Sequence, residues 1–333
     1  MKYTDRVYGE FEIDEPVVLE LIESKPLQRL KEIDQAGYRP LWVKPDVETG
    51  EYDHSRFAHS VGVYLLLKKY GASLEEQLAG LIHDVSHSAF SHCIDYILDT
   101  GSEKEHNHQD NVFEEFVKNT EIPQILKKYG FDPDYIADDS HFPLKEKNLP
   151  DLCADRIDYS FKTAVIFGEL DDKDKNYLLD NLTAENNNWV FKDFESAKKY
   201  AELFLKLNTD YYSGLTSAIM FRTVGDCLRY ALQKGYISEA DLYQNDKFVI
   251  DKIKSNLDKD ERLSLLFSRM NNKSKAINNS NDYDASVFCK SRVVDPLFKS
   301  KDGLRRVSEV DFEWKDIINR ESVPKQYFLK FVD

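Results

Sequence analysis

Between Leu78 and Tyr96 the chain reads LAGLIHDVSHSAFSHCIDY, which sets His83 beside Asp84 and follows them with His87, His92 and Asp95. The histidines are His54, His59, His83, His87, His92, His106, His108 and His141, and all but the last fall within one stretch. A lone histidine on a helix is ordinarily a surface or hydrogen-bonded core residue. A run of them with aspartates at helical spacing suggests a metal site. His83 and His87 are four apart and share a face if the segment is helical. Asp84 lies about 100° further round, within reach of an ion between the two directions. Ala79-Gly80-Leu81-Ile82 would seat this helix deep in a bundle, where an unpaired aspartate is costly.

Further ligands are offered elsewhere. DHSRFAHSVGVYLLL places His59 at the start of an amphipathic helix, and LPDLCADRIDYSF places Asp155 and Asp158 three apart on another. His59, His83, Asp84 and Asp155 make a mixed nitrogen–oxygen set with room left for water and substrate. Such donors suit zinc, manganese, iron or nickel, with no softness argument for copper. Competing motifs are missing: no phosphate-binding GxxxxGK[ST] loop, GxGxxG, GxSxG or HExxH. Cys153 neighbours Asp155, and a buried structural thiol is the reading preferred for it over a nucleophile.

The helices that must position these residues are expected at about 55–70, 74–85, 88–99, 110–128 and 149–166. Two proline-opened helices, VVLELIES and LQRLKEIDQAG, precede them. A hairpin is expected over 1–13, a loop over 38–55, and turn-like chain from Gly130 to Ser140. LTAENNNWVFKD reads as a hairpin turning at Asn186–Asn188. Helices follow at 194–213, 215–234, 239–256 and 259–270. Residues 271–284 are polar without period and read as a linker; the alternating C-terminal segments read as a small β-rich lobe.

The 333 residues suffice for one large domain with an added lobe. With 45 basic and 60 acidic residues the net charge is −15. That charge disfavours duplex nucleic acid and anionic membranes. An anionic substrate must then be met by local positive charge. Four scattered cysteines without a CxxC pair suggest reduced thiols. No apolar N-terminal run or stretch of about 18 apolar residues is present, so a cytoplasmic protein is expected.

In order along the chain, LQRLKEIDQAG (27–37), HSRFAHSVGV (54–63), HDVSHSAFSH (83–92) and DRIDY (155–159) resemble the HD-domain metal-dependent phosphohydrolases. The branch containing deoxynucleoside triphosphate triphosphohydrolases is the most similar. The resemblance covers about half the chain. It implies a mainly α fold, a helical bundle around a divalent ion (Mn, Fe, Mg, Zn or Ni), with small β additions at the N-terminus, mid-chain hairpin and C-terminal lobe. Residues 1–213 would form the HD domain, 214–270 a helical extension, and 271–333 the linker and lobe.

It also implies roles. His59, His83, Asp84 and Asp155 match metal ligands, and Arg56 an arginine facing substrate phosphates. His87, His92 and Asp95 match groups that contact phosphates and assist proton transfer. Asp158 and Tyr159 match positions near metal or sugar. Lys162 stands where the branch often has arginine, and Thr163 replaces an acid, which bears on sugar recognition. Within EHNHQD, His108 is preferred to His106 as the later active-site histidine; His54 and His141 are assigned to loops. The expected reaction is hydrolysis of a deoxynucleoside triphosphate to deoxynucleoside and tripolyphosphate by a homo-oligomer. Alternatives are a nucleoside monophosphate phosphatase or phosphodiesterase of the same fold, or a non-catalytic nucleotide or metal sensor.

Overall fold

The computed structural model describes residues 1–38 and 54–332. The loop expected over 38–55 lies, from 39 to 53, outside the described residues. The architecture is mainly α with small sheets. An antiparallel hairpin, β1 (Lys2–Asp5) and β2 (Gly9–Glu12), opens the chain. Helices α1 (Pro16–Glu23) and α2 (Lys25–Arg29) carry proline in their first turns, where no N–H is needed. The second ends earlier than Gly37, passing through a short 3₁₀ turn at Leu30–Glu32.

Helix α3 (Arg56–Lys69) starts at Ser55, whose hydroxyl accepts the Ala58 amide. Every residue from Arg56 to Leu67 is buried. It is therefore an all-round central helix rather than the amphipathic one expected. It packs against α4 (Leu74–Ile82) and against a later helix over Ala154–Ile166. Small residues permit that closeness: a Cβ at Gly80 would meet Leu67 Cδ1 at 2.6 Å.

Helix α4 stops at Ile82, short of the expected residue 85, so His83 and His87 do not share a helix. The carbonyls that would continue it are taken by side chains. His83 Nδ1 bonds the Gly80 carbonyl at 2.7 Å and Gln109 Nε2 the His83 carbonyl at 2.6 Å. Arg29 reaches the carbonyls of Val85 and His87 at 2.7 and 2.6 Å. The helix expected over 88–99 is replaced by turns and a 3₁₀ stretch, Ser91–Tyr96. Phe90 and Ser91 have positive φ, and the Phe90 amide is held by Asp246 Oδ1 at 2.8 Å.

The expected 110–128 helix is two, α5 (His108–Lys118) and α6 (Ile122–Lys128), and the turn-like stretch holds α7 (Pro133–Ala137). Then come α8 (Ala154–Ile166), α9 (Asp172–Asn181), β3 (Leu182–Glu185) and β4 (Asn188–Phe191). Asn186 and Asn187 take positive φ at the hairpin turn. Helix α10 (Phe194–Leu207) runs into a π turn, Asn208–Tyr212. After α11 (Leu215–Gln233) lie α12 (Glu239–Leu242), α13 (Asp246–Lys254) and α14 (Glu261–Met270).

The segment expected as a linker contains β5 (Ala276–Asn278). It is followed by β6 (Ala285–Cys289), β7 (Leu297–Ser300) and β8 (Gly303–Arg306), then α15 (Phe312–Glu321) and β9 (Lys325–Phe331). Helix α15 occupies sequence read as alternating. Asp311 caps it and Trp314 is buried on one face. One sheet has the order β3-β4-β7-β8, with β4 and β7 parallel, so C-terminal strands extend the mid-chain hairpin. Another has the order β5-β9-β6. Two apolar cores result: one gathers α1, α3, α4, α8 and α10, the other α11 to α14 with Phe90, Cys93 and Tyr96.

At Gly62 on α3 a Cβ would collide with Lys162 Nζ and Asp158 Oδ1 of α8. Both are buried and paired, so neither can swing aside. Gly62→Ala is expected to cost about 2–3 kcal/mol in urea unfolding. An unchanged midpoint would contradict this packing.

Candidate metal centre

Three elements meet at one point. Helix α3 brings Arg56 and His59, the turn after α4 brings His83, Asp84 and His87, and the first turns of α8 bring Asp155 and Asp158. His59 Nε2 lies 3.2 Å from His83 Nε2 and 2.8 Å from Asp155 Oδ1. His83 Nε2 is 3.5 Å from that same oxygen. Asp84 adds Oδ1 at 3.4 Å from His83 Nε2 and Oδ2 at 3.7 Å from His59 Nε2. The structure thus brings together the four residues expected as ligands.

The tautomers suit an ion. A backbone carbonyl can only accept, so His83 Nδ1 carries its hydrogen toward Gly80 and Nε2 turns a lone pair inward. His59 Nδ1 faces Asp158 Oδ2 at 2.7 Å, the carboxylate–histidine pairing that orients metal-binding imidazoles. His59, His83 and Asp155 each place a donor atom within 4.8 Å of the others, and with Asp84 beside the two imidazoles the set fits a divalent cation of the zinc, manganese or iron type. Burial alone would push His59 down; the carboxylates of Asp155 and Asp158 on its two nitrogens outweigh that and raise it to about 9. Burial raises Asp84 and Asp155 too, and is overcome in both. The Arg56 guanidinium chiefly holds Asp84 well below the usual carboxylate range; His59 and His83 do so for Asp155.

Beneath the centre, Asp158 lies on His59, in keeping with a place near the metal, and Lys162 turns inward to Asp158 and Asp5. The Asp158 side chain is 0% exposed, and Lys162 Nζ lies 3.3 Å from its Oδ2 and 3.2 Å from Asp5 Oδ2 while donating to the Ala58 carbonyl. Asp5 in turn accepts the Val7 and Tyr8 amides. The pair supports His59 from below. Arg56 is also committed: it gives Nη1 to Asp84 Oδ2 at 2.8 Å, Nε to Ser91 Oγ at 3.0 Å and Nη2 to the Gln35 carbonyl at 3.1 Å. It fixes Asp84 instead of presenting an open fork.

Beside the ligands three imidazoles stand in file. His87 Nε2 is 3.3 Å from Asp84 Oδ1, and its ring meets His92 edge-on at 5.1 Å between centroids. His92 stacks on His106 at 5.0 Å and holds Asp95 Oδ2 through Nδ1 at 3.1 Å. His106 Nε2 pairs with the Tyr96 hydroxyl at 2.9 Å. His106, not His108, is therefore the later histidine in the array. His108 begins α5 with its amide on Asp95 Oδ1. That turns its ring away, to Thr100 Oγ1 at 2.7 Å and the Tyr243 hydroxyl at 3.2 Å. His54 sits 3.4 Å from Asp34 and His141 stacks on Tyr135, both outside the cluster. Tyr159 flanks His59 at 6.4 Å between ring centroids.

The side chains of His92 and Asp155 are each 24% exposed, against 1% for His59, and mark the open side of the site. Burial, then the neighbouring Arg56, depresses His87 to about 4. Burial likewise pushes His92 and His106 well below the usual histidine value, with Arg56 adding to the first and His92 to the second.

Asp158→Asn is expected to weaken Mn²⁺ binding by about 10–100-fold in a chelator competition. Equal affinity would show that Asp158 does not set the His59 donor. For His106 the folded pKa is depressed, so the unfolded chain binds the extra proton below about pH 6.5 and stability falls as pH falls. One such group contributes about 1.4 kcal/mol per pH unit. His106→Gln should flatten the fall between pH 6.5 and 5 in urea unfolding by about that slope; an unaltered slope would contradict a neutral His106.

Comparison with known proteins agrees with this geometry. The HD domain family pattern matches residues 56–160. The metal-dependent phosphohydrolase cns2 of Cordyceps militaris is 32% identical over 247 residues, covering 72% of this chain and 69% of that protein. The deoxynucleoside triphosphate triphosphohydrolase SAMHD1 of Mus musculus is 30% identical over 152 residues, only 40% of this chain and 22% of that one. A solved phosphohydrolase from Bacteroides thetaiotaomicron shares the fold, with a TM-score of 0.70 over 100% of both chains at 18% identity. No helix among the described residues is long and apolar enough to cross a membrane. The chain belongs to the HD-domain metal-dependent phosphohydrolases and is a hydrolase of phosphorylated compounds.

Proposed function

We propose that the substrate is a deoxynucleoside triphosphate, cleaved to deoxynucleoside and tripolyphosphate. The file His87–His92–His106 carries this reading. It leads away from Asp84 through ring contacts of 5.1 and 5.0 Å, a span well beyond the space of one phosphate, with His92 its partly exposed member. The partial similarity to a deoxynucleoside triphosphate triphosphohydrolase supports it.

His59, His83, Asp84 and Asp155 would hold the ion. Two imidazoles argue for Mn²⁺, Fe²⁺, Zn²⁺ or Ni²⁺ over Mg²⁺, which prefers oxygen. When bound, the ion supplies Lewis acidity and brings the pKa of water at the site toward neutrality. Arg56 keeps Asp84 ionised and oriented throughout. His92 donates Nδ1–H to Asp95, so its Nε2 is left as an acceptor with no partner among the described residues. An incoming polyphosphate places negative charge beside it and raises its proton affinity. Water adds to the α-phosphorus and loses a proton to solvent, the bond from phosphorus to O5′ breaks, and a proton held at His92 Nε2 passes to O5′, His92 then regaining a proton from solvent.

The test is a product analysis with Mn²⁺, Fe²⁺ and Mg²⁺ against deoxynucleotides, ribonucleotides, monophosphates and dinucleotides. Deoxynucleoside and tripolyphosphate are expected, with turnover at least about 10²-fold lower in His92→Ala. Orthophosphate released from monophosphates, with triphosphates untouched, would replace this reading with a phosphatase.

A further inference from the structure

We infer that Lys290 and Arg292, on the segment leaving β6, bind the substrate phosphates distal to the metal centre. The inference rests on the polyphosphate reading and adds a part of the chain that the HD pattern does not reach.

The segment is fixed against the histidine file at several points. The Phe288 carbonyl accepts the Tyr96 hydroxyl at 2.7 Å, the same hydroxyl that meets His106. Lys290 Nζ donates to the Glu105 carbonyl at 2.6 Å, next to His106 in sequence. Asn208, beyond α10, clips the next two residues, giving Nδ2 to Ser291 Oγ at 3.1 Å and accepting the Arg292 amide at 2.9 Å. Backbone and side-chain bonds thus hold the segment that carries the two cations beside His106.

Neither cation is neutralised. The Arg292 guanidinium has no hydrogen bond or ion pair among the described residues. It acts electrostatically on His92, His106 and Tyr159. Lys290 has only a backbone carbonyl. Burial, and then Arg292, push it down to about 8, while Asp110 and Glu105 act on it without forming an ion pair. The Tyr159 hydroxyl, close enough to feel Arg292, is buried with no partner among the described residues. In a chain of net charge −15 that pairs most of its buried cations, two adjacent unpaired ones repel each other. An anion between them relieves that repulsion and offers Tyr159 an acceptor. Being a fork, Arg292 suits two oxygens of one phosphate.

The experiment is calorimetric binding of inorganic tripolyphosphate to the Mn²⁺-loaded full chain, with steady-state kinetics alongside. Arg292→Ala is expected to weaken tripolyphosphate binding at least about tenfold, with metal content unchanged and KM raised more than kcat is lowered. Lys290→Ala should show a smaller loss, and Arg292→Lys a partial recovery. Tripolyphosphate binding equal to wild type in folded Arg292→Ala, or no binding by wild type, overturns the inference. If Arg292→Ala does not fold, Lys290→Ala and Arg292→Gln decide on the same readout. Weakened tripolyphosphate binding without deoxynucleotide turnover would sink the proposed reaction and leave these two residues as an anion site. Normal turnover with unaltered binding and KM would do the reverse.

Discussion

A single buried chain of charge governs the site: Lys162 holds Asp158, and Asp158 holds Nδ1 of His59. Charges removed from water this completely persist only when each has a partner, because breaking such a pair leaves an uncompensated ion in a poor solvent. The arrangement spreads into the fold. Asp5 at the end of β1 is needed to complete the pairing of Lys162, so the N-terminal hairpin is tied to the bundle centre. Gly62 is needed to let α3 and α8 approach closely enough for the chain to form. The result is one imidazole fixed in orientation before any ion arrives, with Nδ1 committed to Asp158 so that Nε2 is the nitrogen left to give up its proton to an ion.

The same logic of pairing separates the two halves of the site. On the metal side, carboxylates outnumber fixed cations and Arg56 balances Asp84. On the outer side, Arg56, Arg292 and Lys290 surround histidines that burial already keeps neutral. A negative ligand entering there meets donors and acceptors without first displacing protein ion pairs. Positive charge from Arg56, Arg292 and Lys290 acts on His92 despite the strongly acidic composition of the chain.

Much of this was legible in the residue order. The grouping of histidines and aspartates marked the segments that meet, and the bundle, N-terminal hairpin and mid-chain hairpin followed from periodicity and turn residues. The local path of the chain was not. His83 and His87 are four apart, yet side chains from Arg29 and Gln109 take the carbonyls a helix would use, a long-range event that spacing does not encode. His106 and His108 are two residues apart. The amide of one being tied to Asp95 decides which ring joins the array. Lys162 stood at a position matched to a substrate-side arginine, and only its partner from residue 5 shows it turned inward. Arg292 carried no signal at all, being one arginine in a segment read for its strands. Residues that act through distant partners are the ones that sequence spacing hides.

The most direct test of the account is anomalous diffraction from crystals soaked in Mn²⁺. The account predicts a peak bonded by His59 Nε2, His83 Nε2, Asp84 and Asp155, with Asp158 still on His59 Nδ1. An ion bound elsewhere, or one that leaves His59 Nε2 paired to Asp155 and outside its coordination, would contradict it.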